Sequence, residues 1–230
     1  MLTIIHGADI VASRKFFLNE KQRFADSVFL RQDEVSLTHL AQILDGGGLF
    51  EDSKTLFIEQ FLTEKKKSAE KDAIIEFLIK QAGTHTITLW EGKEHTTAAL
   101  NAIKGAKIEA FKLSSSLFTF LDAIKPGNGK TLINLFHQTL ETTEPEMIFF
   151  MLIRQMRVLL CLSDGNNETI SEVSRMSPWQ KSKVEKQVKS FDKELLRKLF
   201  AQLFEIEIAQ KTGGLASSLI SAVDFFLIQI

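Results

Sequence analysis

The chain has 230 residues, of which 44% are hydrophobic and 25% are charged, as in an ordinary globular protein. This length suits one large or two small domains. The formal net charge of −1 provides no global attraction to nucleic acid or to anionic lipid. A single cysteine, Cys161, excludes an internal disulfide. Because this also suits a reducing compartment, and because residues 1–6 lack the basic region of a signal peptide, we expect a cytoplasmic protein.

Up to residue 112, short apolar runs typical of buried strands alternate with helical patterns. The strand-like runs are residues 2–6, 27–31, 54–59, 85–90 and 106–111, and the helical segments are residues 9–23, 36–44, 70–81 and 96–103. Strands separated by helices imply right-handed crossovers and a parallel sheet that is covered on both faces. The sequence therefore predicts an α/β domain over residues 1–112.

Three glycines, residues 46–48, interrupt this alternation just before Leu49 and Phe50, which are followed by Glu51 and Asp52. Each glycine costs about 1 kcal/mol relative to alanine in a helix, so the segment predicts a helix end and a loop. Two interpretations of the apolar pair remain open from periodicity alone. Leu49 and Phe50 either fold back into the core or form an exposed anchor for a partner's pocket.

Beyond residue 113 the strand signals stop and only helical patterns follow. Helices are predicted over residues 117–124, 131–140, 143–162, 177–189, 193–211 and 215–230. Pro145 stands in the first turn of its helix, where its missing N–H costs nothing. The last helix is apolar enough to be buried. The sequence therefore predicts an all-α domain over residues 113–230.

Residues 127–131 (Gly-Asn-Gly-Lys-Thr) contain the Gly-Lys-Thr of a phosphate-binding loop. The full pattern requires a glycine where this chain has Ile124, and a buried strand where a helix is predicted. We therefore interpret these residues as a turn between helices. The required order of strand, loop and helix occurs instead at residues 7–14, where Ser13 replaces the lysine and Arg14 the hydroxyl residue. Neither segment is expected to hydrolyse a nucleotide.

No other pattern predicts a catalytic centre. The histidines are His6, His39, His85, His95 and His137, which are scattered and lack the spacing of metal ligands. We therefore expect no catalytic residue, no metal site and no cofactor. Residues 175–198 are rich in basic side chains, among them Lys181, Lys183, Lys186 and Lys189. This stretch is interpreted either as a solvated helix face or as a surface that contacts phosphate or another subunit.

Several segments, in order along the chain, together resemble the delta subunit of the bacterial DNA polymerase III clamp loader. They are residues 6–9 (His-Gly-Ala-Asp), 48–59 (Gly-Leu-Phe-Glu-Asp-Ser-Lys-Thr-Leu-Phe-Ile-Glu), 120–124 (Phe-Leu-Asp-Ala-Ile), 155–160 (Gln-Met-Arg-Val-Leu-Leu), Glu207 and 211–213 (Lys-Thr-Gly). The chain departs from that family in one respect. Its members usually insert a small helical lid domain between sheet and collar, whereas here Phe111 is followed almost directly by Leu117.

The resemblance implies an AAA+-like α/β domain with a degenerate nucleotide loop, followed by a helical collar that assembles with other clamp-loader subunits. It further implies that Leu49 and Phe50 enter a pocket on the sliding clamp and help to open it for loading onto primed DNA, without ATP hydrolysis by this chain. Each buried side chain could contribute ~1.5–3 kcal/mol to such binding. Two alternatives remain: a phosphate-loop NTPase or kinase that uses Lys130, and a helical adaptor unconnected with replication.

Overall fold

A computed structural model describes residues 1–46, 53–165 and 170–230. These residues form two compact units, Met1–Leu113 and Ser114–Ile230. The first unit combines strands with helices, and the described residues of the second contain helices alone. The predicted fold class, an α/β unit followed by an all-α unit, is confirmed.

Within the described residues of the first unit, five strands form one sheet in which every pairing is parallel. The strands are β1 (Leu2–Gly7), β2 (Val28–Arg31), β3 (Thr55–Glu59), β4 (Thr86–Trp90) and β5 (Lys107–Phe111). The helices are α1 (Ile10–Gln22), α2 (Leu37–Leu44), α3 (Phe61–Glu64), α4 (Ala69–Gln81) and α5 (Thr97–Asn101), and one 3₁₀ turn covers Gln32–Glu34. The strand order is β2-β3-β4-β1-β5, so β1 lies inside the sheet, between β4 and β5.

Alternate residues of the central strands pack on opposite faces of the sheet, as the period of two requires. Ile4 and Ile58 belong to the larger cluster, which also includes side chains of α2 and α4. Ile5 and Trp90 belong to the smaller cluster with Phe17 of α1. Both faces are therefore buried, which explains why the strands read as continuous apolar runs in the sequence.

The second unit contains α6 (Ser115–Asp122), α7 (Gly129–Leu140), α8 (Pro145–Ser163), α9 (Ser171–Ser174), α10 (Pro178–Val188), α11 (Lys193–Thr212) and α12 (Leu219–Ile228). Helix α8 packs against α6, α7, α10, α11 and α12. Its apolar side chains are buried on most sides, including Ile148, Leu152 and Met156, which are fully buried. This central position explains why residues 147–162 are rich in apolar side chains.

Two local features differ from the sequence-based expectations, and a third agrees with them. Helices α3 and α9 each have a single turn and no amphipathic period to predict them. Helix α12 begins at Leu219 and not at residue 215, because Ser218 accepts a hydrogen bond from the Ser221 N–H and caps the helix there. Strand β5 ends at Phe111 and α6 begins at Ser115, so residues 112–114 contain no lid domain.

Candidate functional site

The loop between β1 and α1 is closed by a carboxylate of the chain itself. Asp9 is 4% exposed, and its Oδ1 accepts a hydrogen bond of 2.9 Å from the Ala12 N–H at the start of α1. Its own N–H donates to the Phe111 carbonyl at 3.0 Å. A helix N-terminus is a common binding site for phosphate because its N–H groups are free and its dipole is positive there. Asp9 uses one of those groups and places a negative charge where a phosphate would bind.

Gly7 makes this loop compatible with the sheet. A Cβ at this position would lie 2.0 Å from the Phe111 carbonyl oxygen. Glycine is therefore required for β5 to approach β1 so closely, and the requirement is one of packing and not of phosphate binding.

The two positions that would hold the phosphate-loop lysine and hydroxyl group are also occupied by internal contacts. Ser13 is fully buried and accepts a hydrogen bond of 3.2 Å from Trp90 Nε1. The guanidinium of Arg14 forms an ion pair with Glu59 at the end of β3 and lies 4.5 Å from the Trp90 ring centroid. The charge of Arg14 is therefore neutralised by an acid and covered on one side by an aromatic ring. Neither Ser13 nor Arg14 therefore provides an unpaired positive charge that could bind a phosphate.

A buried polar cluster lies at the ends of β1 and β4, and the sequence analysis did not predict it. Glu91 is fully buried and accepts hydrogen bonds of 2.8 Å from the N–H groups of Leu62 and Thr63. These bonds hold the first turn of α3, which explains why that helix has no local signal. His95 Nε2 lies 3.1 Å from Thr63 Oγ1 and 3.7 Å from Glu91 Oε2. His6 accepts a hydrogen bond of 3.2 Å from the His95 N–H, through its Nδ1.

The cluster could have been found from the strand register. Ile5 of β1 pairs with Trp90 of β4, so the residues that follow them, His6 and Glu91, must be neighbours. Among the residues that the structure describes, no group of three or more His, Cys, Asp or Glu side chains could hold a metal ion.

Burial shifts the pKa of two basic groups beside this cluster. Burial lowers the pKa of His6 from its usual 6.5, and the neighbouring His95 lowers it further. Burial also lowers the pKa of Lys71, whose Nζ donates to the carbonyls of Leu62 and Lys65 at 2.7 Å. These contacts connect α4 to α3, so the cluster holds α3 in place from two sides.

The His6 shift predicts that the α/β unit loses stability in mild acid. Because its folded pKa is depressed, the unfolded chain takes up a proton first as the pH falls below 6.5. Stability is therefore complete above pH 6.5 and declines as the pH falls toward the folded pKa. His6→Gln should flatten the dependence of the urea midpoint on pH between about 7.5 and 5.5. The measurement follows tryptophan fluorescence in a Trp179→Phe background, in which Trp90, buried in this unit, is the remaining tryptophan.

The matched control for this experiment is His137→Gln, which changes an exposed histidine of the helical unit. It should retain the pH dependence of the parent chain in the Trp90 signal. An equally steep dependence in His6→Gln would assign the acid sensitivity to another group.

The Gly-Asn-Gly-Lys-Thr segment serves helix packing. Gly127 and Asn128 form the expected turn, but α7 begins at Gly129, two residues before its predicted start at Thr131. The Gly127 N–H donates to the Ile230 carbonyl at 2.7 Å. A Cβ at Gly129 would lie 2.8 Å from the carbonyl oxygen of Leu227 in α12. The glycine therefore allows α7 and α12 to approach closely.

The predicted clamp-binding residues, Leu49 and Phe50, lie outside the described residues. The chain on both sides of them is fixed to the α/β unit. Before the pair, at the C-terminal end of α2, Asp45 accepts a hydrogen bond of 2.7 Å from Nε2 of Gln81 in α4. Just before β3, the Lys54 Nζ donates a hydrogen bond of 2.6 Å to the Ile43 carbonyl. The backbone N–H of Lys54 donates a second one, of 3.0 Å, to Nδ1 of His85.

The four lysines of the candidate basic surface have different surroundings. Lys183 forms an ion pair with Asp122 of α6. Lys181 is half-buried, and Lys186 and Lys189 are exposed. Lys183 and Lys186 are three residues apart and therefore lie on the same side of α10. The structure thus gives one of the four an acidic partner within the helical unit.

Comparison with known proteins identifies the helical unit. A family model described as the C-terminal domain of the DNA polymerase III delta subunit matches residues 114–230, slightly more than half of the chain. The chain belongs to the DNA polymerase III delta-subunit family. A solved structure similar to this delta-family chain is the DNA clamp loader delta protein of Bacillus subtilis. The two are 13% identical, with a TM-score of 0.46 and coverage of 99% of this chain and 94% of that one. A search of curated proteins gave no significant match.

No helix in the described parts of this delta-family chain has both the length and the apolar character needed to span a bilayer.

Proposed function

We propose that this delta-family chain is a clamp-loader subunit that binds the sliding clamp and helps to open it for loading onto primed DNA, without hydrolysing ATP. The observation that supports this most is the combination of the delta-family helical unit with an α/β unit whose β1–α1 loop is closed from within. The carboxylate of Asp9 would repel a phosphate. Ser13 carries no charge, and the guanidinium of Arg14 is already paired with Glu59. A chain of this kind can contribute binding energy to an assembly in which other subunits use ATP.

The clamp contact is proposed to be Leu49 with Phe50. The flanking contacts of Asp45 with α4 and of Lys54 with α2 connect both ends of the segment to the α/β unit, so force applied to the pair would be transmitted to that unit. Two buried apolar side chains can contribute ~1.5–3 kcal/mol each. That free energy can bias a strained ring interface toward its open state, because a ligand shifts an equilibrium by its differential affinity.

Assembly is proposed to use the helical unit, with domains at residues 1–112 and 113–230. Phe225 and Ile228 of α12 are 65% and 62% exposed, and they lie three residues apart on one side of that helix. Exposed large apolar side chains in one place commonly mark a protein contact. Within the assembly, Lys181, Lys183, Lys186 and Lys189 are proposed to contact primed DNA or a neighbouring subunit.

Nucleotide titration separates this function from the alternative of an NTPase or kinase that uses Lys130. The isolated chain should show saturable binding to the sliding clamp and no saturable binding of a fluorescent ATP analogue up to about millimolar concentration, where binding free energies are only about −4 kcal/mol. The packing of Gly129 against α12 supports this expectation, because it leaves no loop to surround a phosphate.

ATP binding that disappears in Lys130→Ala would overturn the proposal in favour of an enzyme. A folded chain that binds neither the clamp nor other clamp-loader subunits would favour the helical adaptor.

A further inference from the structure

The helical unit contains a groove to which no ligand has been assigned above, although one of its lining residues, Lys183, belongs to the candidate basic surface. It lies between α6, α8, α9 and α10 and has a volume of about 560 Å³. Its floor is apolar, formed by Leu121, Met151, Val158 and Val184, all of which are buried. The volume is within the range of about 300–1,000 Å³ that is common for binding pockets. A groove of this size and lining can accept several apolar side chains.

Two aromatic residues at the rim of this groove are unusually exposed. Trp179 is 65% exposed and Phe118 is 47% exposed. Tryptophan is highly buried on average, so its exposure beside an apolar groove needs a reason. Tryptophan is also the residue most enriched among those that dominate protein interfaces. An exposed tryptophan beside an apolar groove is therefore typical of a surface that binds a partner.

The charged side chains around the groove leave an excess of positive charge. Lys183 is paired with Asp122, and Glu172 is paired with Arg157. Arg154 and Arg175 also line the groove, and neither forms an ion pair within the described residues. Arg175 is exposed, and Arg154 is half-buried and also attracts Glu172 electrostatically. Each guanidinium can bind an incoming carboxylate through two parallel hydrogen bonds.

We propose that this groove is a docking site for an acidic segment of a partner protein that carries apolar side chains at helical spacing. The apolar side chains would occupy the floor, Trp179 would cover them, and carboxylates would pair with Arg154 and Arg175. Met151 can adjust its shape to such a ligand because its side chain is unbranched and flexible. This inference rests on the helical unit alone and does not require clamp binding.

A protein segment fits the groove better than single-stranded nucleic acid does. Nucleic-acid channels combine an uninterrupted positive groove with several aromatic platforms. Here Asp122 and Glu172 lie among the lining residues, and the floor is formed by aliphatic and methionine side chains. Carboxylates beside the path would repel a phosphate backbone, whereas a peptide can place its own charges between them.

The test measures binding of the full chain to a fluorescein-labelled synthetic peptide of 14 residues. The peptide has Leu or Phe at positions i, i+3, i+4 and i+7 and Asp or Glu elsewhere. Three comparison probes are the same peptide with Asn and Gln in place of the acids, the same peptide with Ser in place of the apolar residues, and an oligo(dT) of equal length. Fluorescence anisotropy should show saturable binding of the acidic peptide, at least about tenfold tighter than binding of each comparison probe.

Substitutions at two exposed residues test whether the peptide binds in this groove. Trp179→Ala and Arg175→Glu should each weaken peptide binding by about tenfold or more, as expected for a central anchor and a paired charge. Matched controls are Phe204→Ala, a phenylalanine of α11 that is 55% exposed, and Lys198→Glu, an exposed lysine of the same helix. Both controls should remain within about twofold of the parent chain.

Three outcomes would reject the proposal. The first is no saturable binding of the acidic peptide, and the second is equal binding by Trp179→Ala and the parent chain. The third is preference for oligo(dT), which would assign the groove to nucleic acid. Clamp binding by the same preparations is measured in parallel, so failure of the groove and failure of the clamp-loader function can be distinguished.

Discussion

Changing Leu49→Ala together with Phe50→Ala is expected to weaken binding of the sliding clamp by roughly a hundredfold or more, about 3 kcal/mol. The same double variant should keep nearly the melting temperature of the parent chain. The reason is that two apolar anchors would be lost from a small interface while little would be lost from the folded monomer. Affinity is measured by titration of the full chain with the clamp, and stability by a thermal melt of the same sample.

The matched control is Leu44→Ala at the end of α2, a leucine that is 4% exposed and belongs to the core of the α/β unit. Its truncation should cost about 2–5 kcal/mol of stability through lost burial and a cavity. Clamp affinity per folded molecule should be unchanged. If the Leu49 and Phe50 variant instead behaves like the Leu44 variant, the apolar pair belongs to the core and the proposed clamp contact is wrong.

Two adjacent phenylalanines of α12 should respond to truncation in opposite ways. Phe226 is 1% exposed, and Phe226→Ala should destabilise the helical unit by about 3–5 kcal/mol. Phe225 is 65% exposed, and Phe225→Ala should change stability by less than about 0.5 kcal/mol. If α12 contacts neighbouring subunits as proposed, Phe225→Ala should nevertheless weaken assembly by about tenfold, as for a central interface aromatic.

The pair is measured by urea unfolding of the isolated chain and by sedimentation of the chain mixed with its clamp-loader partners. Each variant is the control for the other, since the chemistry of the substitution is identical. Normal assembly by Phe225→Ala would place the subunit contact elsewhere. A small effect of Phe226→Ala on stability would mean that α12 is not a wall of the helical core.

The alternation of strands and longer helices could be predicted from the sequence because the strands are apolar runs and most of these helices have an amphipathic period or a capping residue. Ser36 and Pro145 mark helix starts by local chemistry, and both are found at those positions. Helix α3 could not be predicted because its first turn is held by Glu91, about thirty residues away. Local patterns do not contain such a distant hydrogen bond.

Of the candidate site, the sequence could predict only which phosphate-binding residues are absent. Ser13 and Arg14 indicated a phosphate loop without its ligands, and the surrounding contacts explain why. The ion pair of Arg14 with Glu59 and the contact between His6 and His95 depend on strand register, which a single sequence does not state. The proposed roles of Leu49 and Phe50 remain predictions.

The contacts around Arg14 make a phosphate-binding loop at residues 7–14 hard to obtain by single substitutions. A Ser13→Lys change would place an ammonium group in a fully buried position beside Trp90, at a cost of several kcal/mol. A change of Arg14 to a hydroxyl residue would leave the Glu59 carboxylate without its cation. Asp9 would still occupy the helix N-terminus in both cases. Nucleotide binding by this loop would therefore require several simultaneous substitutions.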